Sequence, residues 1–526
     1  MHRITAQLSR RITLSSSHSA ASSVLRTNMH SEATTPQLPS LITSIKPNAT
    51  SLRAAGSELH PQVFNQWKSS GAQGKPGECR IVYPSEQWSR VAVMGVKEGD
   101  AESTRLAAAI GAKSLREQGA TTIQIDNMES AHAAAEGAHL ALYRFDELKA
   151  TKSQKAAVEL QPLNPSSEGE LNWNTGVIYA KSQNLARRLM ETPANLMTPT
   201  IFAERAKECF EGVKGVEVFI HDKEWAESHN MGSFLSVAKG SAEPLRFVEI
   251  HYTGDAAKSD ETALALVGKG ITFDAGGISL KPAAGMSAMK GDMGGAATVL
   301  GTMYGIAHVG IPLNVKAFIP LCENLPSGTA NKPGDVVRAS NGKTIEIDNT
   351  DAEGRLILAD ALYYASSTFK PRTLIDVATL TGAMAVALGG VYSGVFTNST
   401  SLYKELESAG EAEADPFWRM PLNVEYKKLI TKSTTADLIN SAGRAGGSCT
   451  AAIFLKEFVH GLNPEDEGVE GAVEEGEVGF EDKIRYAHID IAGVMDTTSD
   501  SGYHVKGMSG RPTRSLIEFA RRLARA

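Results

Sequence analysis

The sequence predicts an α/β protein in which a smaller N-terminal α/β domain precedes a larger α/β domain with a mixed, mostly parallel central sheet. Short apolar runs alternate with helical stretches along most of the 526 residues, as in sheets that are covered by helices on both faces. Hydrophobic residues make up 42% of the chain and charged residues 21%, as in an ordinary globular protein. No apolar stretch reaches the roughly 18 residues that a membrane-spanning helix needs. These observations exclude a fibrous, wholly disordered or integral membrane protein.

Residues 1–35 form a basic, serine-rich extension with no acidic residue before Glu32. Its arginines are Arg3, Arg10, Arg11 and Arg26. This composition is typical of a mitochondrial transit peptide, and a disordered tail with Met29 as an internal start is the alternative. The four cysteines of the chain are scattered without a C-x-x-C pair, which favours a reducing compartment. We therefore expect a cytoplasmic protein, with the mitochondrion as the alternative.

Residues 36–165 are predicted to form the N-terminal α/β domain. Val91–Met94 is a strand candidate there, and the alanine-rich stretch Glu129–Arg144 is a helix candidate. Residues 166–192 are predicted to be a linker helix, because helical periodicity covers Trp173–Glu191 and ends just before a proline.

Residues 193–526 are predicted to form the larger domain, in which strands alternate with helices such as Ala296–Gly310. Its strand candidates are Val216–Ile220, Leu264–Val267, Val315–Pro320, Thr344–Asp348 and Thr373–Val377. In sheets of this kind ligands bind beyond the carboxyl ends of the strands. We therefore expect the chemistry of the protein at that edge.

An acidic insert at residues 464–482 interrupts this pattern. It carries nine acidic side chains and no basic one, so it accounts for the net charge of −7. We expect it to be a solvated surface loop. The rest of the chain is close to neutral and has no strong basic field, so we do not expect nucleic acid as a partner.

Three polar clusters follow strand-like runs in the larger domain and supply four carboxylates. The carboxylates are Asp274, Asp292, Asp351 and Glu353. Asp351 and Glu353 are two residues apart, so they would project to the same side of an extended backbone. Four carboxylates brought together repel one another unless a cation lies among them. Divalent metals are the obvious cations, since an oxygen-rich ligand set suits Mg, Mn or Zn.

Each cluster taken alone has an ordinary interpretation. Lys269 lies in a G-K-G tripeptide that lacks the spacing of a phosphate-binding loop, so a surface or capping lysine is the alternative. Asp351 and Glu353 taken alone read as an acidic pair at a helix start. Because all three clusters fall at strand ends, we favour a shared site over three unrelated features.

Longer motifs join these clusters. N-T-D-A-E-G-R-L occupies Asn349–Leu356, and G-K-G-I-T-F-D-x-G-G occupies Gly268–Gly277. Five further motifs lie at Met190–Pro199, Pro326–Asp335, Ala378–Ala383, His488–Gly493 and Gly510–Arg514. With these motifs the sequence resembles the leucyl aminopeptidase (cytosol aminopeptidase) family of dinuclear metallopeptidases. The likeness is strong over residues 175–526 and loose over the N-terminal domain.

The resemblance implies a catalytic domain at residues 193–526 that binds two divalent metal ions, Zn or Mn, with Mg and Co as alternatives. Its metal ligands are Lys269, Asp274, Asp292, Asp351 and Glu353, of which Asp274 and Glu353 bridge the two ions. A lysine binds a metal only as the neutral amine, so Lys269 must lose its proton, and adjacent dications and burial would lower its pKa.

The resemblance also implies two catalytic residues, Lys281 and Arg355. Lys281 would polarise the scissile carbonyl, and Arg355 would hold a bicarbonate ion that acts as general base. The implied substrate-binding positions are Lys281, Met289, Asp292, Thr379, Leu380, Gly382, Ala492 and Met495.

The implied activity is removal of the N-terminal residue, preferably leucine or another apolar residue, from peptides through a hydroxide that bridges the two metals. The family forms homohexamers, so we expect one here, with peptides as substrates and no membrane partner. Two other functions remain as hypotheses: a non-enzymatic hexameric scaffold and a metal-dependent phosphoryl-transfer enzyme. The complete ligand set argues against the first, and the lack of a phosphate-cradling loop argues against the second.

Overall fold

Two β-sheets, each covered by helices, organise the part of the chain that the structure describes. The structure is a computed structural model and describes residues 38–46, 53–54, 57–59, 61–84, 87–164, 169–463 and 484–525. The basic extension predicted at residues 1–35 and the acidic insert predicted at residues 464–482 lie outside the described residues. Among the described helices, none combines the length and apolar character needed to cross a bilayer.

The N-terminal part is a five-stranded sheet with helices on both faces. In chain order its elements are β1 (Ser40–Ile45), β2 (Arg53–Ala54), β3 (Ser57–Glu58), α1 (Pro61–Ser69), β4 (Cys79–Val82), β5 (Arg90–Gly95), α2 (Ala101–Glu117), β6 (Thr122–Ile125), α3 (Ala131–Ala141) and β7 (Glu159–Pro162). The strand order is β4-β5-β1-β6-β7, and only the β4–β5 pairing is antiparallel. Alanine-rich faces of α2 and α3 pack on one side of this sheet. The predicted smaller α/β domain is confirmed, and its exact limits stay predictions.

A long helix, α4 (Trp173–Glu191), joins the two parts of the chain. It begins at a capping box, in which Asn172 Oδ1 accepts from the Thr175 amide and Thr175 Oγ1 accepts from the Asn172 amide. It ends at Thr192, directly before Pro193, where the missing amide hydrogen stops a helix. The helix predicted from periodicity therefore has the same bounds in the structure.

The C-terminal part carries the larger sheet. Its elements are α5 (Pro199–Glu208), β8 (Val216–His221), α6 (Lys223–Ser228), α7 (Gly232–Ala238), β9 (Arg246–Thr253), β10 (Leu264–Gly268), β11 (Gly270–Asp274), α8 (Gly294–Val309), β12 (Asn314–Asn324), β13 (Asp335–Arg338), β14 (Thr344–Ile347), α9 (Gly354–Phe369), β15 (Thr373–Ala378), α10 (Gly382–Leu388), β16 (Ser393–Thr397), α11 (Thr400–Ala412), β17 (Phe417–Met420), α12 (Lys427–Ile430), β18 (Leu438–Ile439), α13 (Gly447–Lys456), β19 (Arg485–Asp490), β20 (Asp496–Thr497), β21 (Gly507–Met508) and α14 (Thr513–Leu523).

The larger sheet is mixed and mostly parallel, as predicted. Its order is β17-β16-β19-β15-β10-β12-β9-β8, and β11 also pairs with β12. The central strands β19, β15, β10 and β12 run parallel, whereas β16 runs antiparallel to β19 and β9 runs antiparallel to both β12 and β8. Helix α8 packs on one face through Val299 and Leu300, and α9 packs on the other through Leu358 and Leu362.

Two of the predicted strands are confirmed but lie outside the parallel centre of the larger sheet. Val216–Ile220 forms β8, but it lies on an antiparallel edge rather than in the parallel core. Thr344–Asp348 forms β14, but β14 belongs to a separate three-stranded sheet with β13 and β18. A strand-like residue pattern does not specify which strand it will pair with. The partner of β14 on one side is β18, whose two residues are too few to be recognised as a strand in the sequence.

A buried group of charged side chains connects the N-terminal and C-terminal parts. Arg105 on α2 contacts Glu136 on α3 (Nε–Oε2 2.7 Å), and Arg514 on α14 contacts Glu413 (Nη1–Oε2 3.0 Å), which directly follows α11. Each arginine also reaches the other glutamate at 3.3 Å. His132 lies beside both glutamates, with its Nε2 3.6 Å from Glu136 Oε1 and 3.7 Å from Glu413 Oε1. All five residues are buried, and the partly exposed Glu102 also contacts Arg105 Nη1 at 2.6 Å, so their charges are compensated by one another and by this carboxylate.

The charge of His132 should make stability depend on pH. Burial lowers its pKa, but the carboxylates of Glu136 and Glu413 outweigh burial and raise the pKa to about 9, from 6.5. The stabilisation is therefore complete below about pH 6.5 and is lost as the pH rises through about 9. We expect the free energy of unfolding to fall over this window by up to about 1.4 kcal/mol per pH unit from this one group. Urea unfolding across the window measures the slope.

His132→Gln should flatten that slope. The matched control is His308→Gln, because burial lowers the pKa of the half-buried His308 on α8 and it therefore does not titrate in the same window. An unchanged slope in His132→Gln would show that His132 is neutral in the folded protein.

Candidate active site

The candidate active site lies where the central parallel strands end. Lys269 directly follows β10, and hydrogen bonds fix its backbone on both sides. Its amide donates to the Val377 carbonyl on β15 at 3.0 Å, and its carbonyl accepts from the Ala296 amide on α8 at 2.8 Å. The lysine is therefore held at the carboxyl edge of the sheet, where α/β proteins bind ligands.

Asp351 and Glu353 reach the same place from the turn between β14 and α9. The predicted extended backbone is wrong here, because Glu353 has helical dihedral angles (φ −78°, ψ −34°) and immediately precedes the first residue of α9. Asn440 fixes the turn, since its Oδ1 accepts from the amides of Asp348 at 2.9 Å and Asn349 at 3.2 Å. The helix-start alternative describes the local backbone, and the carboxylates still converge on the site.

Gly354 permits the close approach of this turn to Lys269. A Cβ atom at Gly354 would lie 2.3 Å from Lys269 Cε and 2.7 Å from Nζ. Any side chain here would therefore displace the lysine. This steric conflict explains why the N-T-D-A-E-G-R-L motif has glycine at this position.

Lys269 lies at the centre of the first group of charges. Its Nζ is 2.7 Å from Asp292 Oδ2 and 3.0 Å from Glu353 Oε1, and it donates to the Thr379 carbonyl at 2.8 Å. Lysine and carboxylates are all buried. The lysine predicted as a metal ligand thus adjoins two of the predicted carboxylate ligands.

Lys281 joins the remaining two carboxylates. Its Nζ is 2.7 Å from Asp274 Oδ2 and 2.5 Å from Asp351 Oδ1. The other oxygen of Asp274, Oδ1, accepts from the Gly276 amide and from Asn324 Nδ2, both at 2.8 Å. Lys281 is partly exposed, unlike Lys269, so it faces the open side of the site.

The donor set fits divalent metal ions. Asp274, Asp292 and Glu353 offer carboxylate oxygens within 4.8 Å of one another. Within the described residues Glu353 Oε2 is buried without a hydrogen-bond partner, although buried oxygens of this kind normally have one. Four carboxylates against two ammonium groups also leave negative charge uncompensated. Oxygen ligands with excess negative charge suit Mg, Mn or Zn.

The pKa values reflect this crowding of charges. Burial lowers the pKa of Lys269, but the carboxylates of Asp292, Glu353 and Asp274 outweigh burial and raise it above its ordinary value. Burial and neighbouring carboxylates raise the pKa of Asp274 and Asp292. The lowering expected for Lys269 depends on bound dications, and among the protein groups alone the shift is upward. A metal that binds the amine must displace that proton.

Arg355 lies one helical position beyond Gly354 and is buried. Its Nη1 donates to the Asn440 carbonyl at 2.7 Å, while its buried Nε has no partner among the described residues. Burial lowers the pKa of Arg355 to about 10, so the side chain stays charged near neutral pH. One nitrogen anchors the guanidinium, and another remains available for an acceptor.

The predicted substrate-binding positions lie on three loops around these charges. Met289 is on a short 3₁₀ helix, Met286–Gly291. The others lie between β15 and α10, at the first residue of α10 or after β19: Thr379, Leu380, Gly382, Ala492 and Met495. Thr379 Oγ1 donates to Asp292 Oδ1 at 2.8 Å, so the first of these loops contacts the carboxylates directly.

Asp490, which our sequence analysis did not single out, ties two of these loops together. Its Oδ1 accepts from the amides of Leu380 at 3.2 Å and Ala492 at 3.1 Å, and its Oδ2 accepts from Thr381 Oγ1 at 2.6 Å. Asn324 and Asn440 were missed in the same way. Asp490, Asn324 and Asn440 lie in or beside recognised motifs or strand ends. Their hydrogen bonds go largely to backbone groups, so no pattern of side chains in the sequence indicates their role.

Comparison with known proteins identifies the family. The catalytic-domain model of the cytosol aminopeptidase family matches residues 184–517, and its N-terminal-domain model matches residues 46–152. The chain belongs to the cytosol aminopeptidase family. It is therefore a metalloexopeptidase of this family, which uses divalent metals, and the fold and resemblance predicted from the sequence are confirmed.

Relatives in the cytosol aminopeptidase family match almost the whole chain. The cytosol aminopeptidase of Xenopus tropicalis is 48% identical over 479 residues, which cover 88% of this chain and 87% of the relative. The cytosol aminopeptidase of Bos taurus is 48% identical over 466 residues, with 86% and 84% covered.

Solved structures share the fold of this chain. The bottromycin maturation enzyme BotP in complex with Mn has a TM-score of 0.78 at 31% identity and covers 92% of this chain and 99% of its own. A mutant of tomato leucine aminopeptidase has a TM-score of 0.76 at 29% identity, with 94% and 95% covered.

Removing the Asp490 carboxylate should disturb substrate binding without removing metal. In Asp490→Ala the loop amides lose their buried acceptor, and each such loss costs about 1–3 kcal/mol. We expect KM for Leu-p-nitroanilide to rise by roughly 10-fold and the melting temperature to fall, with metal content unchanged. Steady-state kinetics, thermal melting and metal analysis measure the three quantities.

The matched control is Asp490→Asn, which keeps an oxygen at the Oδ1 position for both amides and should show a smaller change in KM. If Asp490→Ala lost metal but kept its KM, Asp490 would belong to the metal site rather than to the substrate loops.

Proposed function

We propose that the protein is a dinuclear-metal aminopeptidase that removes the N-terminal residue, preferably leucine or another apolar residue, from peptides. The carrying observation is the convergence of Asp274, Asp292 and Glu353 within 4.8 Å of one another, beside two lysines. Hydrolysis of Leu-p-nitroanilide by the metal-loaded protein, compared with N-acetyl-leucine p-nitroanilide, tests it. An aminopeptidase requires the free amine, so equal cleavage of both substrates would contradict the proposal.

Five residues would hold the two metals. Asp274 and Glu353 would bridge the ions, Asp351 would complete one site, and Lys269 with Asp292 would complete the other. The partnerless Glu353 Oε2 supports its role, and so does the Mn named with the bottromycin maturation enzyme BotP. Zn and Mn are the proposed ions, and Mg and Co suit the same oxygen-rich set.

When bound, the two metals would polarise the peptide carbonyl and activate a water molecule near neutral pH. Lys281 would contribute a fixed positive charge to the same carbonyl. Burial lowers the pKa of Lys281, but Asp274 and Glu353 outweigh burial and raise it above its ordinary value, which keeps the amine protonated. Its contacts with Asp274 and Asp351 would orient it, so that it stabilises negative charge on the oxygen as the carbonyl is attacked.

Arg355 cannot accept a proton itself, because a guanidinium stays charged at working pH. We propose that it holds a bicarbonate ion, which serves as general base. Its free Nε beside an anchored Nη1 supports this role, since guanidinium nitrogens suit planar oxyanions.

The substrate side chain would lie among the loops that carry Met289, Thr379, Leu380, Ala492 and Met495, with Gly382 at the start of α10. Most of these side chains are apolar, and an apolar pocket favours leucine over charged residues. Gly382 is exposed, and a Cβ there would meet no atom within 4 Å, so this side of the loops offers room.

We also propose a homohexamer in the cytoplasm. The name of two curated relatives, cytosol aminopeptidase, supports the compartment. Size-exclusion chromatography with light scattering tests the assembly, and cell fractionation tests the location.

Activity should require two metal ions per chain. Glu353→Gln and Asp274→Asn each keep the shape of the side chain but remove the charge that binds metal, so turnover should fall to background with less metal bound. Metal analysis and Leu-p-nitroanilide hydrolysis measure both effects, and circular dichroism checks the fold. Full activity in either variant would rule out the two-metal assignment.

Substitution of Lys281 and substitution of Lys269 should have different effects. Lys281→Ala should lower kcat by roughly 100-fold, as for the loss of one oxyanion donor, while both metals stay bound. Lys269→Ala should instead weaken metal binding, which titration with Zn or Mn measures. Metal loss in the Lys281 variant and none in the Lys269 variant would reverse the two assignments.

A further inference from the structure

The N-terminal part holds a second polar pocket that the peptidase chemistry does not use. It has a volume of about 280 Å³ and lies where α2 and α3 end, against the coil that leads into β7. Its cationic lining comprises Arg116, Arg144 and Lys155, and Asp146 is its single acidic residue. None of the residues proposed for catalysis or metal binding lines it.

Arg116 presents an unused guanidinium edge in this pocket. Its Nη1 donates to the Leu142 carbonyl at 3.2 Å, which satisfies one of the carbonyls left free at the end of α3. Its Nε and Nη2 are buried without a partner among the described residues. These two nitrogens form one side of the planar fork, the side that binds two oxygens of a carboxylate or phosphate at once.

Three other residues of the lining carry buried polar atoms that have no hydrogen-bond partner among the described residues. These atoms are Arg144 Nε, Tyr143 Oη and His139 Nε2. Burial raises the pKa of Tyr143, so its hydroxyl keeps its hydrogen and can donate. Burial lowers the pKa of His139 to about 4, so its ring is neutral near pH 7. Buried donors without a partner cost about 1–3 kcal/mol each, so a ligand that accepts from several of them at once would be favoured.

The charges around the pocket favour an anion. Among the lining residues three cationic side chains accompany one carboxylate, and Asp146 Oδ2 already accepts from the Lys155 amide at 3.0 Å. Asp500, outside the lining, lies near Arg116 and Arg144 and offsets part of their charge. Burial lowers the pKa of Arg116, and the nearby charge of Arg144 lowers it further. The two guanidinium groups are therefore close enough to repel each other, and an anion between them relieves that repulsion.

The size and lining of the pocket limit the class of anion that it can bind. The unpartnered donors belong to two arginines and a tyrosine of the lining, and a phosphate group offers more acceptor oxygens than a carboxylate does. The volume exceeds that of a bare phosphate ion, and Leu142, Val158 and Leu160 supply an apolar wall. We propose that this pocket binds the phosphate group of a small phosphomonoester, with its organic part against the apolar wall.

Entry of such a ligand requires a local movement. The unpartnered donor atoms are out of contact with solvent, and one wall of the pocket is the exposed coil at residues 155–157. This coil has no helix or strand bonds to break, so its outward displacement exposes the donors.

Calorimetric titration of the full-length protein with phenyl phosphate tests the proposal. Inorganic phosphate and benzoate are titrated in parallel at fixed ionic strength. We expect saturable binding of one phenyl phosphate per chain, weaker binding of inorganic phosphate and little binding of benzoate. No saturable binding of phenyl phosphate would overturn the proposal, because it would mean that water alone fills the pocket. Equal affinity for inorganic phosphate would overturn the assignment of an ester.

Variants locate the bound anion. Arg144→Gln and Arg116→Gln should each weaken binding of phenyl phosphate by at least about 10-fold, as for the loss of a charge-assisted bond, and Tyr143→Phe should weaken it less. The matched control is Lys152→Gln, which removes one positive charge from an exposed position outside the lining and should leave the affinity unchanged.

Circular dichroism and Leu-p-nitroanilide hydrolysis check that each variant folds. If Arg116→Gln does not fold, Arg144→Gln and Tyr143→Phe carry the test. Phenyl phosphate binding that survives both of these would place the anion elsewhere, including at the metal centre, and would overturn the proposal.

Discussion

The constraint on which the site depends is the mutual repulsion of buried carboxylates. Asp274, Asp292 and Glu353 are held within 4.8 Å of one another, away from water, and such an arrangement opposes folding unless cations offset it. Two lysines supply part of the compensation, each placed between two carboxylates. The four carboxylates and two lysines leave a surplus of negative charge, and such a surplus favours the binding of divalent cations. The same charge that destabilises the fold is therefore what the proposed chemistry uses.

The central sheet and two glycines in the adjoining helices allow the charged groups to come this close together. Lys269 is fixed between β15 and α8 by two backbone hydrogen bonds, and its buried Nζ is held by Asp292, Glu353 and the Thr379 carbonyl. Gly295 lets α8 approach so closely that a Cβ there would lie 1.9 Å from the Val377 carbonyl oxygen. Gly354 does the same for the start of α9. Rigid elements therefore bring the charged groups together, whereas Asp490 and Asn440 fix the loops through backbone amides and carbonyls.

Much of this could be predicted from the sequence, and the failures have a common cause. The helix Trp173–Glu191 was predictable because its periodicity, its cap and its terminating proline are local. Asp274, Asp351 and Glu353 were predictable as a group because they lie at or after the ends of strands. The expectation of a strand end is wrong for Asp292, which directly follows the 3₁₀ helix Met286–Gly291. The backbone of Glu353 was not predictable, since an acidic residue two positions after another fits both an extended chain and a helix start. The pairing of β14 with β18 and the role of Asp490 depend on partners about 90 to 110 residues away, which no local pattern specifies.

The buried charges that join the two parts of the chain have a consequence for how this protein can be divided. Arg514 and Glu413 belong to the C-terminal part, but Arg105, His132 and Glu136 come from the N-terminal part. Trimming the chain to its peptidase half would leave Arg514 and Glu413 facing solvent or a void in place of their partners. The N-terminal domain is thus part of the folding unit of the enzyme rather than a detachable accessory.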